Sequence, residues 1–172
     1  MMSKRRICLF VAALLPWAAV VAAEPDAAAN YRLHINGIAF HFDKGNGSNE
    51  NNWGVGIERT FGQKPNAPSF LQGWSTFVEL DAYQDSYSKL GVSAGFGMQR
   101  PMFRYLDAGL KVGLVYEDGL QEDAGSPVLP YLLPFIETRF ERAPSIRATL
   151  VPPFPPFDIG GLVSLQLIVG LP

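Results

Sequence analysis

The chain has 172 residues, with 14 basic and 16 acidic side chains, 17 glycines and 14 prolines. That many helix breakers argue against long helices, and the length suits one domain. A formal charge of −2 disfavours nucleic acid as a partner, and the single cysteine, Cys8, excludes a disulfide framework.

Met1 to Arg6 carries three cations, Lys4, Arg5 and Arg6, and an apolar stretch runs from Ile7 to Ala23. Val21 and Ala23 stand at −3 and −1 of a cut before Glu24, which predicts a secretory signal peptide over residues 1–23. Cleavage removes Cys8 and those cations, so the exported chain, 24–172, carries a formal charge of −5 and no thiol. No stretch after residue 30 holds the ~18 consecutive apolar residues of a membrane-crossing helix.

The first predicted strand, 31–42, changes parity part-way. Leu33 and Ile35 are apolar before Asn36-Gly37, and Ile38, Phe40 and Phe42 after it. A β-bulge at that dipeptide restores one apolar face and turns both histidines of the chain, His34 and His41, to the other face. In the second strand, 53–61, Trp53, Val55, Ile57 and Phe61 alternate with Gly54, Gly56, Glu58 and Thr60. The third, 73–83, leads into Asp85-Ser86. The fourth, 89–99, sets Leu90, Val92, Ala94, Phe96 and Met98 against Gly91, Ser93, Gly95 and Gly97, an apolar face backed by a nearly bare one.

The fifth, 105–116, has Tyr105 and Tyr116 flanking its apolar band, where membrane-interface aromatics belong. The sixth, 127–140, contains Pro127, Pro130 and Pro134. Each proline removes a ladder donor, so the run is either a turn between strands or a gap in the wall, a lateral doorway for a lipid tail. A strand at 145–151, a turn at Pro152 to Pro156 and a strand at 159–171 complete the set. About eight strands, each near the ~10 residues that cross a bilayer at a tilt, predict an all-β, eight-stranded antiparallel up-and-down transmembrane β-barrel. A soluble lipocalin-like barrel is the alternative. Outer-membrane barrels commonly end in an aromatic residue, whereas this chain ends Gly170-Leu171-Pro172.

The bulge and the up-and-down order place His41 and the Asp85-Ser86 hairpin at the same barrel mouth. A histidine beside a serine can act as general base, and an aspartate can orient the imidazole. His41, Asp85 and Ser86 are therefore a candidate acyl-transfer set. Gly91, Ser93 and Gly95 leave room on one face for an alkyl chain. Two histidines and no thiol give no usual metal-ligand set, and no cofactor is indicated.

Several segments resemble the lipid A palmitoyltransferase family of Gram-negative outer membranes. They are Phe42-Asp43-Lys44, Asn49 to Gly56, Tyr83-Gln84-Asp85-Ser86-Tyr87 running ungapped into Ala94-Gly95-Phe96-Gly97, Pro127 to Pro134, and the hairpin after Leu150-Val151. The resemblance implies a monomeric eight-stranded barrel in the outer membrane that moves a palmitoyl chain from a phospholipid acyl donor to lipid A. It assigns essential roles to Asp85, Ser86 and a histidine at the end of the first strand, His41, with His34 as the alternative. It also places the floor of the acyl pocket at Gly97. Phosphatidylglycerol is a further possible acceptor. The short helix preceding the barrel in enterobacterial members has only Glu24 to Asn30 available here. A lipid A deacylase would use a His-x-Ser motif in a later strand, and this chain has no histidine after His41. A non-catalytic structural or adhesive barrel is the reading from a different class.

Overall fold

A computed structural model describes residues 30–42, 49–62, 68–120, 125–140, 143–153 and 160–171. The signal segment expected over 1–23, the chain to 29, and Pro155 and Pro156 lie outside the described residues. Eight strands close into one antiparallel barrel in sequence order: β1 (Asn30–His41), β2 (Asn51–Phe61), β3 (Ser75–Gln84), β4 (Leu90–Phe103), β5 (Leu106–Glu117), β6 (Val128–Thr138), β7 (Ser145–Val151) and β8 (Leu162–Gly170). β1 closes the ring against β8, from Arg32 opposite Gly170 to His41 opposite Leu162. Closure gives every strand a neighbour on both sides over at least part of its length, which reduces the usual edge hazard of an all-β chain. One end carries Asn30, Gly170 and the Arg104-Tyr105 turn, and is called the turn end. The other carries His41 and Asp85, the loop end.

The expected bulge is present. The register of β1 shifts between Asn36 and Ile38 against both β2 and β8. Inward positions therefore run His34, Asn36, Ala39, whereas Ile38 and Phe40 point outward. Without that shift the greasy face of β1 would cross from one side of the wall to the other. Pro152 and Pro153 lie beyond the last residue of β7, in agreement with a turn there. Neither can donate to a ladder, which accounts for β7 stopping at Val151.

The barrel is polar inside and apolar outside. Buried charged residues include Glu58, Glu79, Asp81, Lys111, Glu137 and Arg147, while Trp53, Val55, Ile57, Leu80, Leu114, Leu132 and Ile146 face outward. The centre of the turn-end half is Arg147, which is fully buried. Its Nε donates to Glu137 Oε2 at 2.8 Å, its Nη1 to Glu79 Oε2 at 3.2 Å and its Nη2 to Glu58 Oε2 at 2.8 Å. The guanidinium also lies between two rings, 4.7 Å from the centroid of Phe77 and 4.6 Å from that of Phe135. Arg32 joins Glu58 to Glu137, donating from Nη1 to Glu137 Oε1 at 2.5 Å and from Nε to Glu58 Oε1 at 2.7 Å. Lys111 reaches Glu79 at 2.9 Å.

A cluster of this kind is stable only while every charge keeps its partners, because removing one leaves the others buried and unpaired. Arg147→Met keeps most of the side-chain volume and removes the one buried cation shared by three carboxylates, leaving Arg32 and Lys111 to pair with them. It is expected to lower the unfolding free energy by about 3–5 kcal/mol, read by urea titration of the folded protein in detergent. An unchanged midpoint and slope would show that the cluster does not hold the barrel together.

Candidate acyl-transfer site

At the loop end, β3 runs into a tight turn between Asp85 and Lys89. The turn is closed by Asp85 N–H to the Lys89 carbonyl at 2.8 Å and Ser88 N–H to the Asp85 carbonyl at 3.0 Å, with Ser88 left-handed at φ 61°. Asp85 is fully buried, and its Oδ1 accepts the amides of Tyr87 at 2.9 Å and Lys89 at 2.7 Å. A short carboxylate accepting amides two and four residues on fixes a turn without any helix or ladder. The Ser86 carbonyl accepts the Asn49 N–H at 2.8 Å, tying this hairpin to the approach to β2. The result is a rigid perch for Ser86.

Across the mouth, His41 Nε2 lies 2.9 Å from Ser86 Oγ. The structure thus brings together two of the three residues expected to form the set, from β1 and the β3–β4 hairpin. Asp85 contributes differently from the expected orientation of the imidazole: its bonded oxygen is spent on the turn amides. Among the described residues, Asp85 Oδ2 and His41 Nδ1 are both buried without a hydrogen-bond partner.

His34 is held elsewhere. It is fully buried in the barrel, with Nδ1 3.0 Å from Asp81 Oδ1 and Nε2 3.2 Å from Glu58 Oε2. Asn36 donates to Asp81 at 3.2 Å, and Gln166 donates to Asn36 Oδ1 at 2.6 Å. Both ring nitrogens are engaged in the interior network, and the serine contact belongs to His41.

The small face of β4 is inward as expected, but the space above it is not empty. A Cβ on Gly91 would collide with the Tyr83 ring, one on Gly95 with the Tyr131 hydroxyl, and one on Gly97 with the Phe77 ring. The reason lies in register. Tyr83 stands directly opposite Gly91 and Phe77 opposite Gly97, while Tyr131 lies opposite Gly113, which pairs with Gly95. Each aromatic lies across a neighbouring strand's glycine, the arrangement by which rings compensate for glycine in sheets. Tyr83 is further tied by its hydroxyl, which donates to Glu117 Oε1 at 2.6 Å, and the Tyr131 hydroxyl donates to Glu79 Oε1 at 3.4 Å. The volume beside Gly91, Gly95 and Gly97 is filled by rings, so the expectation of an open bare face is corrected. Ser93 is inward in the same row, opposite Asp81.

Beside the prolines the β6–β7 ladder is short among the described residues. β6 pairs with β5 along its length, from Leu106 opposite Thr138 to Tyr116 opposite Val128. With β7 it pairs only from Phe135–Thr149 to Glu137–Arg147. Pro130 and Pro134 stand opposite Leu114 and Leu110. Lacking an N–H, a proline can hold such a position only as a non-hydrogen-bonded pair. The nitrogens and carbonyls of Pro130 and Pro134 therefore point toward β7, where the ladder is lost. Pro127 belongs elsewhere: it precedes β6, and its carbonyl closes the hairpin by accepting Glu117 N–H at 2.9 Å.

Three side chains missed in the sequence, Arg32, Glu79 and Arg147, dominate the interior. His34, Glu58 and Glu79 each offer a metal-ligating atom, all within 4.8 Å of one another, but the Arg147 guanidinium already bridges the two glutamates. No family model matches the chain, and no curated protein matches it significantly.

The short ladder makes a residue-level prediction. Leu132 shares the parity of Pro130 and Pro134, so its N–H also points toward β7 and has no ladder partner among the described residues, whereas those of Tyr131 and Leu133 point to β5. In detergent, Leu132 should exchange its amide hydrogen at least tenfold faster than Tyr131 or Leu133, measured by NMR. Equal protection along the strand would mean that β7 covers this edge in solution.

Proposed function

We propose that the protein is an outer-membrane acyltransferase that moves an acyl chain from a phospholipid to the glucosamine lipid, lipid A. The single observation that carries this reading is the 2.9 Å contact between His41 Nε2 and Ser86 Oγ at the mouth of the barrel. It is supported by the inverted distribution of polarity, which suits lipid outside and a filled polar lumen inside. Aromatic residues stand near both ends of the wall, Trp53 toward the loop end and Tyr31, Phe103 and Tyr105 toward the turn end. In this reading both ends of the barrel chain are periplasmic and the site faces the outer leaflet.

Chemistry follows from the two side chains. His41 Nε2 takes the proton of the attacking hydroxyl, for which Ser86 Oγ is in place, as that oxygen adds to the phospholipid ester carbonyl. The ester C–O bond then breaks, and the same proton passes to the departing glycerol oxygen to release a lysophospholipid. Attack of a lipid A hydroxyl on the transferred acyl group repeats the sequence and restores Ser86 and His41. Asp85 is a positioning residue, since its carboxylate shapes the turn that presents Ser86.

The gap between β6 and β7 supplies the route for the donor. Unpaired backbone is costly in hydrocarbon and is tolerated where it lines a cavity or passage. Tyr131 is inward on the gap strand itself, and Tyr83 lies below the serine hairpin. Displacement of these two rings by an alkyl chain would open the face formed by Gly91, Ser93 and Gly95, at ~0.8 kcal/mol gained per buried methylene. Gly97 lies deeper, beneath Phe77, at the floor of that path.

Mass spectrometry of lipid A from cells expressing the protein tests the reading. A gain of one acyl chain is expected for the wild type and for Asn at position 34 (His34→Asn, where it folds), and its loss, by at least a hundredfold, for Ser86→Ala and His41→Asn. Loss of a chain from lipid A would instead indicate a deacylase. Unchanged lipid A would favour a structural barrel.

A further inference from the structure

Charge on the outer surface of the barrel is segregated by end. Among the described residues, three outward cations, Arg59, Arg100 and Arg104, lie at the turn end, with no carboxylate on the same outer rim, and a fourth cation, Arg139, follows the parity of the inward Glu137. At the loop end the described outward charges are Glu50, Asp118 and Lys89. The acidic groups of the turn-end half, Glu58, Glu79, Asp107 and Glu137, point into the lumen and are buried there.

The arginines are seated on aromatic rings. The guanidinium of Arg59 lies 5.9 Å from the Tyr31 centroid and 5.2 Å from that of Phe61; Arg100 lies 5.6 Å from Trp74 and Arg104 4.9 Å from Tyr105. Arg139 serves the turn instead, donating to the carbonyls of Phe103 and Arg104 at 3.1 Å each and approaching Asp107 at 3.5 Å. Arg59, Arg100 and Arg104 have no carboxylate partner among the described residues. A ring at the water–hydrocarbon boundary holds a guanidinium at headgroup depth, with its planar donors left for another anion. The planar fork of arginine matches phosphate oxygens two at a time.

We propose that Arg59, Arg100 and Arg104, each backed by an aromatic ring, form a binding belt for the phosphate headgroups of anionic phospholipids in the leaflet at the turn end. The belt collects such lipids around the barrel at the end opposite His41 and Ser86. It rests on the membrane reading given above but not on the acyl-transfer chemistry. Guanidinium charge near a lipid surface favours an anionic over a zwitterionic headgroup by about fivefold per residue, and the preference weakens as salt screens it.

Trp74, stacked against Arg100, is a built-in reporter of this belt, and Trp53 reports on the opposite end. The test uses the full chain in vesicles of phosphatidylcholine containing brominated phosphatidylglycerol, or of phosphatidylglycerol containing brominated phosphatidylcholine. In Trp17→Phe/Trp53→Phe, Trp74 alone fluoresces; in Trp17→Phe/Trp74→Phe, Trp53 alone does. The belt predicts that brominated phosphatidylglycerol quenches Trp74 with about fivefold higher relative affinity than brominated phosphatidylcholine. High salt and Arg100→Gln should each reduce that ratio toward one, and Trp53 should show no preference. Equal quenching of Trp74 by the two lipids, or the same preference at Trp53, would overturn the belt. If neither lipid quenched either tryptophan, the membrane reading itself would fail.

Discussion

Arg147, inserted between Phe77 and Phe135 and shared by Glu58, Glu79 and Glu137, is the interaction around which the barrel is organised. Closing eight strands leaves an interior just wide enough to be filled by side chains. Here the turn-end half is filled by one guanidinium, three glutamates, Arg32, Lys111 and His34. Filling the lumen largely with charge leaves most apolar residues of the strands facing outward, with Phe77 and Phe135 kept inside against Arg147. The wall is therefore written as alternation with the greasy side out, and the stability of the fold depends on a cluster whose members come from β1, β2, β3, β5, β6 and β7.

The loop-end half is built on a different principle. Charge gives way to glycine on β4 and β5, with Tyr83 and Tyr131 laid over the bare strands. Rings of that kind can rotate, whereas the Arg147 cluster cannot be disturbed without exposing unpaired charge. The same half contains the missing β6–β7 ladder and the His41–Ser86 contact. A polar plug below and an aromatic filling above is a division of labour that would suit the proposed acyl transfer, with the barrel keeping its shape while the rings move.

Much of this was legible in the sequence because the strand period is two and the wall has one apolar face. The eight strands follow from alternation, and the bulge at Asn36-Gly37 follows from the change of parity between Ile35 and Ile38. Which edge each proline faces was not legible: Pro130 and Pro134 face β7, but Pro127 does not, because parity and strand limits decide it. Filling of the glycine face was not legible from one strand. Gly97 reads as empty until the hairpin register places Phe77 opposite it. The Arg147 cluster was hidden for a stronger reason, since Arg147 and Glu58 are 89 residues apart in the chain and meet only because the barrel closes.

The most direct test of acyl transfer at His41 and Ser86 is a mass balance with the purified protein. Phosphatidylethanolamine carrying a deuterated palmitoyl chain is mixed with lipid A in detergent, and both products are followed by mass spectrometry. The account predicts that each lysophospholipid formed is matched by one lipid A molecule bearing the deuterated chain, and that His41→Asn forms neither. Lysophospholipid and free fatty acid without labelled lipid A, or equal labelling of lipid A by the His41→Asn variant, would contradict it.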